Sequence, residues 1–78
     1  MATTRVQIAQ SNRRNILTKK QLDTLQHAAN GLNNKEIASL YNVTTFAIRN
    51  RFEYILNKLY AQTRTQAVAI GFRNGLLK

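Results

Sequence analysis

Arg49 and Asn50 stand side by side in the stretch TTFAIRNRFEYILNKL, residues 44–59, with Phe46 ahead of them and Glu53 behind. An arginine guanidinium is a planar fork that pairs with guanine O6 and N7, and an asparagine carboxamide carries the donor and acceptor that adenine N6 and N7 require. A carboxylate accepts from cytosine N4, and an aromatic ring can touch the thymine methyl. These four side chains match the chemistry of base edges, provided that one element presents them together. The apolar residues of the same stretch indicate that it does. Ile48, Phe52, Ile55 and Leu59 follow one another at steps of four, three and four, the repeat of a helix with one buried stripe. Burying that stripe turns Phe46, Arg49, Asn50, Glu53 and Asn57 away from the core and leaves Arg51 and Lys58 on one flank.

The elements that would hold this helix are written as start and stop signals. Thr18 can accept from the third helical amide while Gln21 reaches back, the reciprocal capping box, and Leu22, Leu25 and Ala29 then recur at helical spacing up to Gly31. Asn33 and Glu36 repeat the box ahead of Ile37, Ala38 and Leu40, the expected inward side of a short second helix. A break at Tyr41-Asn42-Val43 separates it from the third helix, which Thr44 can cap. Thr63 and Gln66 open a fourth helix that closes near Gly75. Proline is absent, and neither strand alternation nor an internal repeat competes. The expected fold is all-α with four helices. A short helix, a turn and a longer helix exposing Arg and Asn near its start form a helix-turn-helix, whose second helix enters the major groove N-terminus first.

Composition bounds the function in the same direction. A chain of 78 residues allows one small domain with a marginal core. Twelve Lys and Arg against three Asp and Glu leave a formal charge of +9, which makes a polyanion the natural partner, nucleic acid before a membrane surface. With no cysteine and a single histidine, neither a disulfide nor a usual metal centre is expected. Possible acids, bases and nucleophiles do not cluster and no glycine-rich phosphate loop exists, so no catalytic residue and no cofactor is expected. The longest apolar run, residues 67–72 with its glycine admitted, is far short of a membrane span, and the N-terminus lacks an apolar signal segment. A cytoplasmic protein without membrane contact is the expectation.

Residues 17–77 resemble the LuxR/FixJ/NarL/GerE-type DNA-binding domain. The resemblance is carried by LT at 17–18, NKEIA at 34–38, KL at 58–59, RTQAV at 64–68 and GLL at 75–77, in that family's order and spacing. It implies four helices, the second and third forming the helix-turn-helix, the third reading double-stranded DNA and the fourth often supporting dimerisation. Departures from the family pattern are Phe46 and Glu53, where lysine or another polar residue is common, and Arg51, where histidine is usual. In the first helix Thr24 and His27 fall where many relatives place apolar residues; His27 is expected as a half-exposed surface residue.

Phe46, Arg49, Asn50 and Glu53 are accordingly the expected base contacts. Lys35 in the NKEIA motif, Thr44 and Thr45 at the start of the third helix, and Arg51 and Lys58 on its flank are the expected phosphate contacts, because free amides and the positive dipole end already favour an anion there. The stem of Lys58 can alternatively cover core surface. If Val68, Gly71 and Phe72 face the core, the fourth helix turns Gln66, Ala69, Ile70 and Arg73 outward, and these are the expected homodimer contacts. Residues 1–16 read as a flexible basic arm carrying Arg5, Arg13 and Arg14, ahead of a DNA-binding domain over 17–78. The arrangement resembles the stand-alone, GerE-like members of the family. The competing expectation is a protein-interaction module of the same fold that binds a regulator or an RNA polymerase subunit through Phe46, Glu53 and Tyr54.

Overall fold

A computed structural model describes residues 17–78; the basic arm over 1–16 lies outside the described residues. Four helices follow in order: α1 (Lys19–Ala29), α2 (Asn34–Tyr41), α3 (Thr45–Leu59) and α4 (Arg64–Arg73). Each begins where its capping residue stands. Thr18 Oγ1 accepts from the Gln21 N–H at 3.1 Å and Gln21 Oε1 accepts from the Thr18 N–H at 2.9 Å, closing the first box. Asn33 and Glu36 close the second with both distances at 2.8 Å. Two of the orphan amides at each helix start are thereby satisfied without tertiary help.

The fourth start differs from its expected box. Thr63 Oγ1 accepts from the Gln66 N–H at 3.0 Å, but the Gln66 carboxamide reaches one residue further back, to the Gln62 N–H at 2.7 Å. At the other ends, Asn42 and Tyr60 take left-handed backbone with φ of 57° each, and Gly31 has φ of 97°. Asparagine and glycine reach this region readily, whereas for tyrosine it is uncommon. The tight turn after α2 depends on Asn42, whose N–H bonds to the Ser39 carbonyl at 3.2 Å while the Val43 N–H reaches Ala38 at 3.0 Å.

One core joins the four helices. The whole expected stripe of α3, Ile48, Phe52, Ile55 and Leu59, is buried, packed with Leu25 of α1, Ile37 and Ala38 of α2 and Ala67 of α4. Leu17 and Leu77 close it from the two ends of the described chain.

Two faces turned out differently from their sequence patterns. Leu40 is 59 % exposed, and Tyr41 takes the inward place beside Ile37 and Ala38. The reason is angular: at roughly 100° per residue, the direction between 37 and 38 is met again at 41 rather than at 40. In α4 the inward pair is Ala67 and Gly71, while Phe72 is 48 % exposed and Ile70 is half-buried against the core. Small residues win this face because the chain folds back over it. A Cβ built on Gly71 would stand 2.8 Å from Leu77 Cγ and Cδ1, so the seat of Leu77 exists only because residue 71 has no side chain.

Arg64, the first residue of α4, ties three elements together. Its guanidinium carbon lies 4.0 Å from the centre of the Phe52 ring, and Nη1 donates to Asn34 Oδ1 at 2.6 Å. Partial burial holds its pKa below the ordinary arginine value. An arginine suits this place because it stacks on an aromatic face while keeping in-plane donors for the α2 start.

Candidate nucleic-acid interface

The buried stripe of α3 decides what the helix shows to solvent. Phe46, Arg49, Asn50, Glu53, Tyr54 and Asn57 are all exposed, and Phe46 and Tyr54 each reach 65 %. The four expected base contacts therefore lie on one accessible face. Arg49 and Asn50 fall in the first two turns of α3, just beyond the turn at Asn42 and Val43 that sets the helix against α2.

The N-terminus of α3 points out with this face. Thr44 Oγ1 accepts from the Ala47 N–H at 3.0 Å, which leaves its own proton available, and the Thr45 and Phe46 amides have no carbonyl above them in the helix. Both threonines are exposed. Lys35, second residue of α2, and Lys58, in the last turn of α3, are exposed as well.

Charge is unevenly neutralised. Among the described residues the one ion pair joins Lys19 to Asp23 at 3.9 Å, an exposed i,i+4 contact of little energetic weight. Glu36 serves its capping box beside the positive end of α2. Lys35, Arg49 and Lys58 thus have no ion-pair partner among the described residues, and Glu53 has neither an ion-pair nor a capping partner among them. A face with this balance attracts an anion and places one acceptor in its midst.

Arg51 lies on the flank of α3, as expected, but is engaged within the fold. It is half-buried, and its Nη1 donates to Thr24 Oγ1 at 2.9 Å while the guanidinium carbon sits 4.9 Å from the Tyr41 ring centre. A phosphate would have to compete with these contacts. Thr24 was recognisable from sequence only as a polar residue in an apolar slot; its full burial and its hydroxyl bond to the Lys20 carbonyl, 2.8 Å, emerge from the packing. His27 is half-buried and meets the Tyr41 ring edge-on, with centroids 5.8 Å apart.

On α4, Gln66, Ala69 and Arg73 are exposed as expected, whereas Ile70 is half-buried. The outward apolar residue next to them is Phe72 rather than Ile70. Among the described residues no helix is long and apolar enough to cross a membrane, and no group of three His, Cys, Asp or Glu side chains is placed to hold a metal ion.

Comparison with known proteins agrees with this geometry. The chain is similar to an uncharacterised transcriptional regulatory protein, YxjL, of Bacillus subtilis, with 41 % identity over 61 residues, covering 78 % of this chain and 28 % of that relative. It is also similar to the response regulator protein VraR of Staphylococcus aureus and of Staphylococcus epidermidis, with 36 % identity over 63 residues, 81 % of this chain and 30 % of those relatives. The chain thus spans less than a third of the length of these relatives. No solved structure gives a significant match. Residues 15–70 match the profile of the bacterial regulatory proteins of the luxR family (GerE), and with four helices disposed as a helix-turn-helix domain the chain belongs to that family.

Proposed function

We propose that this protein is a sequence-specific DNA-binding transcriptional regulator that inserts α3 into the major groove. The observation that carries the reading is the division of α3: one stripe is wholly buried, and the opposite face presents Arg49 and Asn50, which bond to none of the described residues, beside an open helix N-terminus. Membership of a regulator family supports it. In this reading Phe46, Arg49, Asn50 and Glu53 meet base edges, while Lys35, Thr44, Thr45 and Lys58 hold phosphates. No catalytic role and no cofactor belong to it.

Selection from a randomised DNA pool, repeated across a salt series, tests it. One enriched motif is expected, with affinity falling steeply as salt rises. Each phosphate neutralised contributes about −0.9 to the slope of log K against log salt, so Lys35 and Lys58 alone imply about −1.8 per subunit. Affinity that ignores salt, or a pool without enrichment, would remove the DNA reading. Phe46 and Tyr54, 65 % exposed on the same face, favour a protein partner such as a regulator or a polymerase subunit as the second reading.

A homodimer through α4 completes the proposal, with Gln66, Ala69 and Arg73 exposed around Phe72 and the half-buried Ile70. Twofold symmetry then demands a near-palindromic site with half-sites about one helical turn apart. Sedimentation is expected to show two protein copies per selected site, and Phe72→Ser to reduce this to one. A single copy bound by the unaltered protein would exclude the dimer.

A further inference from the structure

Three helices meet in a small polar and aromatic cluster next to, but not part of, the face that the proposed function assigns to DNA. Thr24 and His27 come from α1, Tyr41 from the last position of α2 and Arg51 from the middle of α3. The bonds run in one direction. The Thr24 hydroxyl proton goes to the Lys20 carbonyl at 2.8 Å, which leaves a lone pair that accepts from Arg51 Nη1 at 2.9 Å. Thr24 has no exposed surface, so water does not supply that donor in place of Arg51. The guanidinium carbon lies 4.9 Å from the Tyr41 ring centre, and that ring is met edge-on from α1 by His27 at 5.8 Å.

We propose that Arg51 is a positioning residue, a latch that fixes the roll of α3 about its own axis and thereby the direction in which Arg49 and Asn50 point. The inference rests on the DNA reading for its consequence, but the latch itself is a property of the free protein. Its physical basis is the shape of the α3 contact. Ile48, Phe52, Ile55 and Leu59 form the buried stripe, with Ala47 and Leu56 half-buried on its flanks, and apolar contact of this kind is non-directional. A small roll of α3 is therefore opposed by close packing alone, with no bond geometry in the stripe to define its end point. It carries side chains on the opposite face sideways by an amount that a paired hydrogen bond to a base does not tolerate. Arg51 sits on the flank of this stripe, where a roll of α3 shifts its guanidinium relative to both Thr24 of α1 and Tyr41 of α2. A hydrogen bond with defined geometry, backed by an aromatic ring, adds a directional restraint on this flank to the one that Arg64 places on Phe52. Adjacency in sequence completes the argument: Asn50 is the preceding residue, so the latch and the reading group share a stretch of rigid helix.

Thr24→Val tests the latch because it removes the acceptor at almost constant volume, at a site that DNA cannot reach. The ratio of affinity for the selected site to affinity for random DNA is expected to fall about fivefold or more, the low end of what one paired base contact discriminates. Random-DNA affinity and the salt slope should hold, since no phosphate contact is lost. Thr24→Ser, which restores the hydroxyl, should return the ratio to that of the unaltered protein. Tyr41→Leu, which removes the ring alone, should lower it in the same sense and serves as the readout if Thr24→Val does not fold. A folded Thr24→Val protein with lower thermal stability but an unchanged ratio would overturn the proposal, leaving Arg51 a purely structural residue. So would Arg51→Ala reducing random-DNA affinity and shifting the salt slope by about 0.9, the signature of a direct phosphate contact. If the unaltered protein selects no site, the DNA reading fails on its own and the latch is decided without DNA. Residual dipolar couplings should then show α3 reoriented or averaged relative to α1 in Thr24→Val, and identical couplings in the two proteins would refute it.

Discussion

Arg49→Ala and Asn50→Ala should each flatten base preference at one or two positions per half-site while leaving the thermal unfolding curve in place. Both side chains are exposed and neither bonds to any of the described residues, so their removal leaves nothing buried unpaired among them. What is lost is a paired base contact, worth about 1–3 kcal/mol of discrimination. In a symmetric dimer the loss occurs twice. Lys35→Ala should behave in the opposite manner, weakening all sequences by a similar factor and reducing the salt slope by about 0.9. The contrast is more telling than either change, because it separates reading from holding. Glu53→Ala extends the series with a test of sign. Loss of preference at one base pair would identify an acceptor for cytosine N4, while uniformly tighter binding would show that the carboxylate acts only against phosphate. Unaltered preference in both Arg49→Ala and Asn50→Ala would take α3 out of the groove and bring forward the protein-interaction reading that exposed Phe46 and Tyr54 favour.

Ile55→Ala should be the most damaging single change to stability. Ile55 has no exposed surface and lies on the stripe that α3 shares with the whole core. Truncating a buried isoleucine costs about 2–5 kcal/mol, by lost transfer free energy and the cavity left behind. A domain of roughly this size has about 3–9 kcal/mol to lose. Urea denaturation followed by circular dichroism should therefore show a midpoint far below that of the unaltered protein, or no folded baseline. Leu40→Ala, at a site 59 % exposed, should shift the midpoint little. A cost below about 1 kcal/mol for Ile55→Ala would contradict the packing of α3 described above.

Where the helices begin was legible from the chain, because capping is local chemistry. Thr18 with Gln21 and Asn33 with Glu36 satisfy amides three residues away, so the spacing of a few letters suffices to place the starts of α1 and α2. The stripe of α3 was legible for a related reason: over 15 residues, four apolar positions leave one choice of inward face, and the exposed set of Phe46, Arg49, Asn50 and Glu53 follows by subtraction. Short helices do not carry that redundancy. In α2, of eight residues, and α4, of ten, a face could be drawn through Leu40 or through Phe72, and the chain folded otherwise. What settled α4 was the return of Leu77 onto Gly71, a contact whose steric demand appears only when the C-terminal segment and the helix are brought together. The orientation of Arg51 belongs to the same class. Its periodicity put it on a flank of α3, but whether that flank met solvent or another helix depended on where Thr24 and Tyr41 came to lie, 27 and 10 positions away in the chain. Short-range hydrogen bonds and a long apolar repeat are encoded within one element, whereas the direction of a flanking cation is set by which neighbours the finished core places beside it.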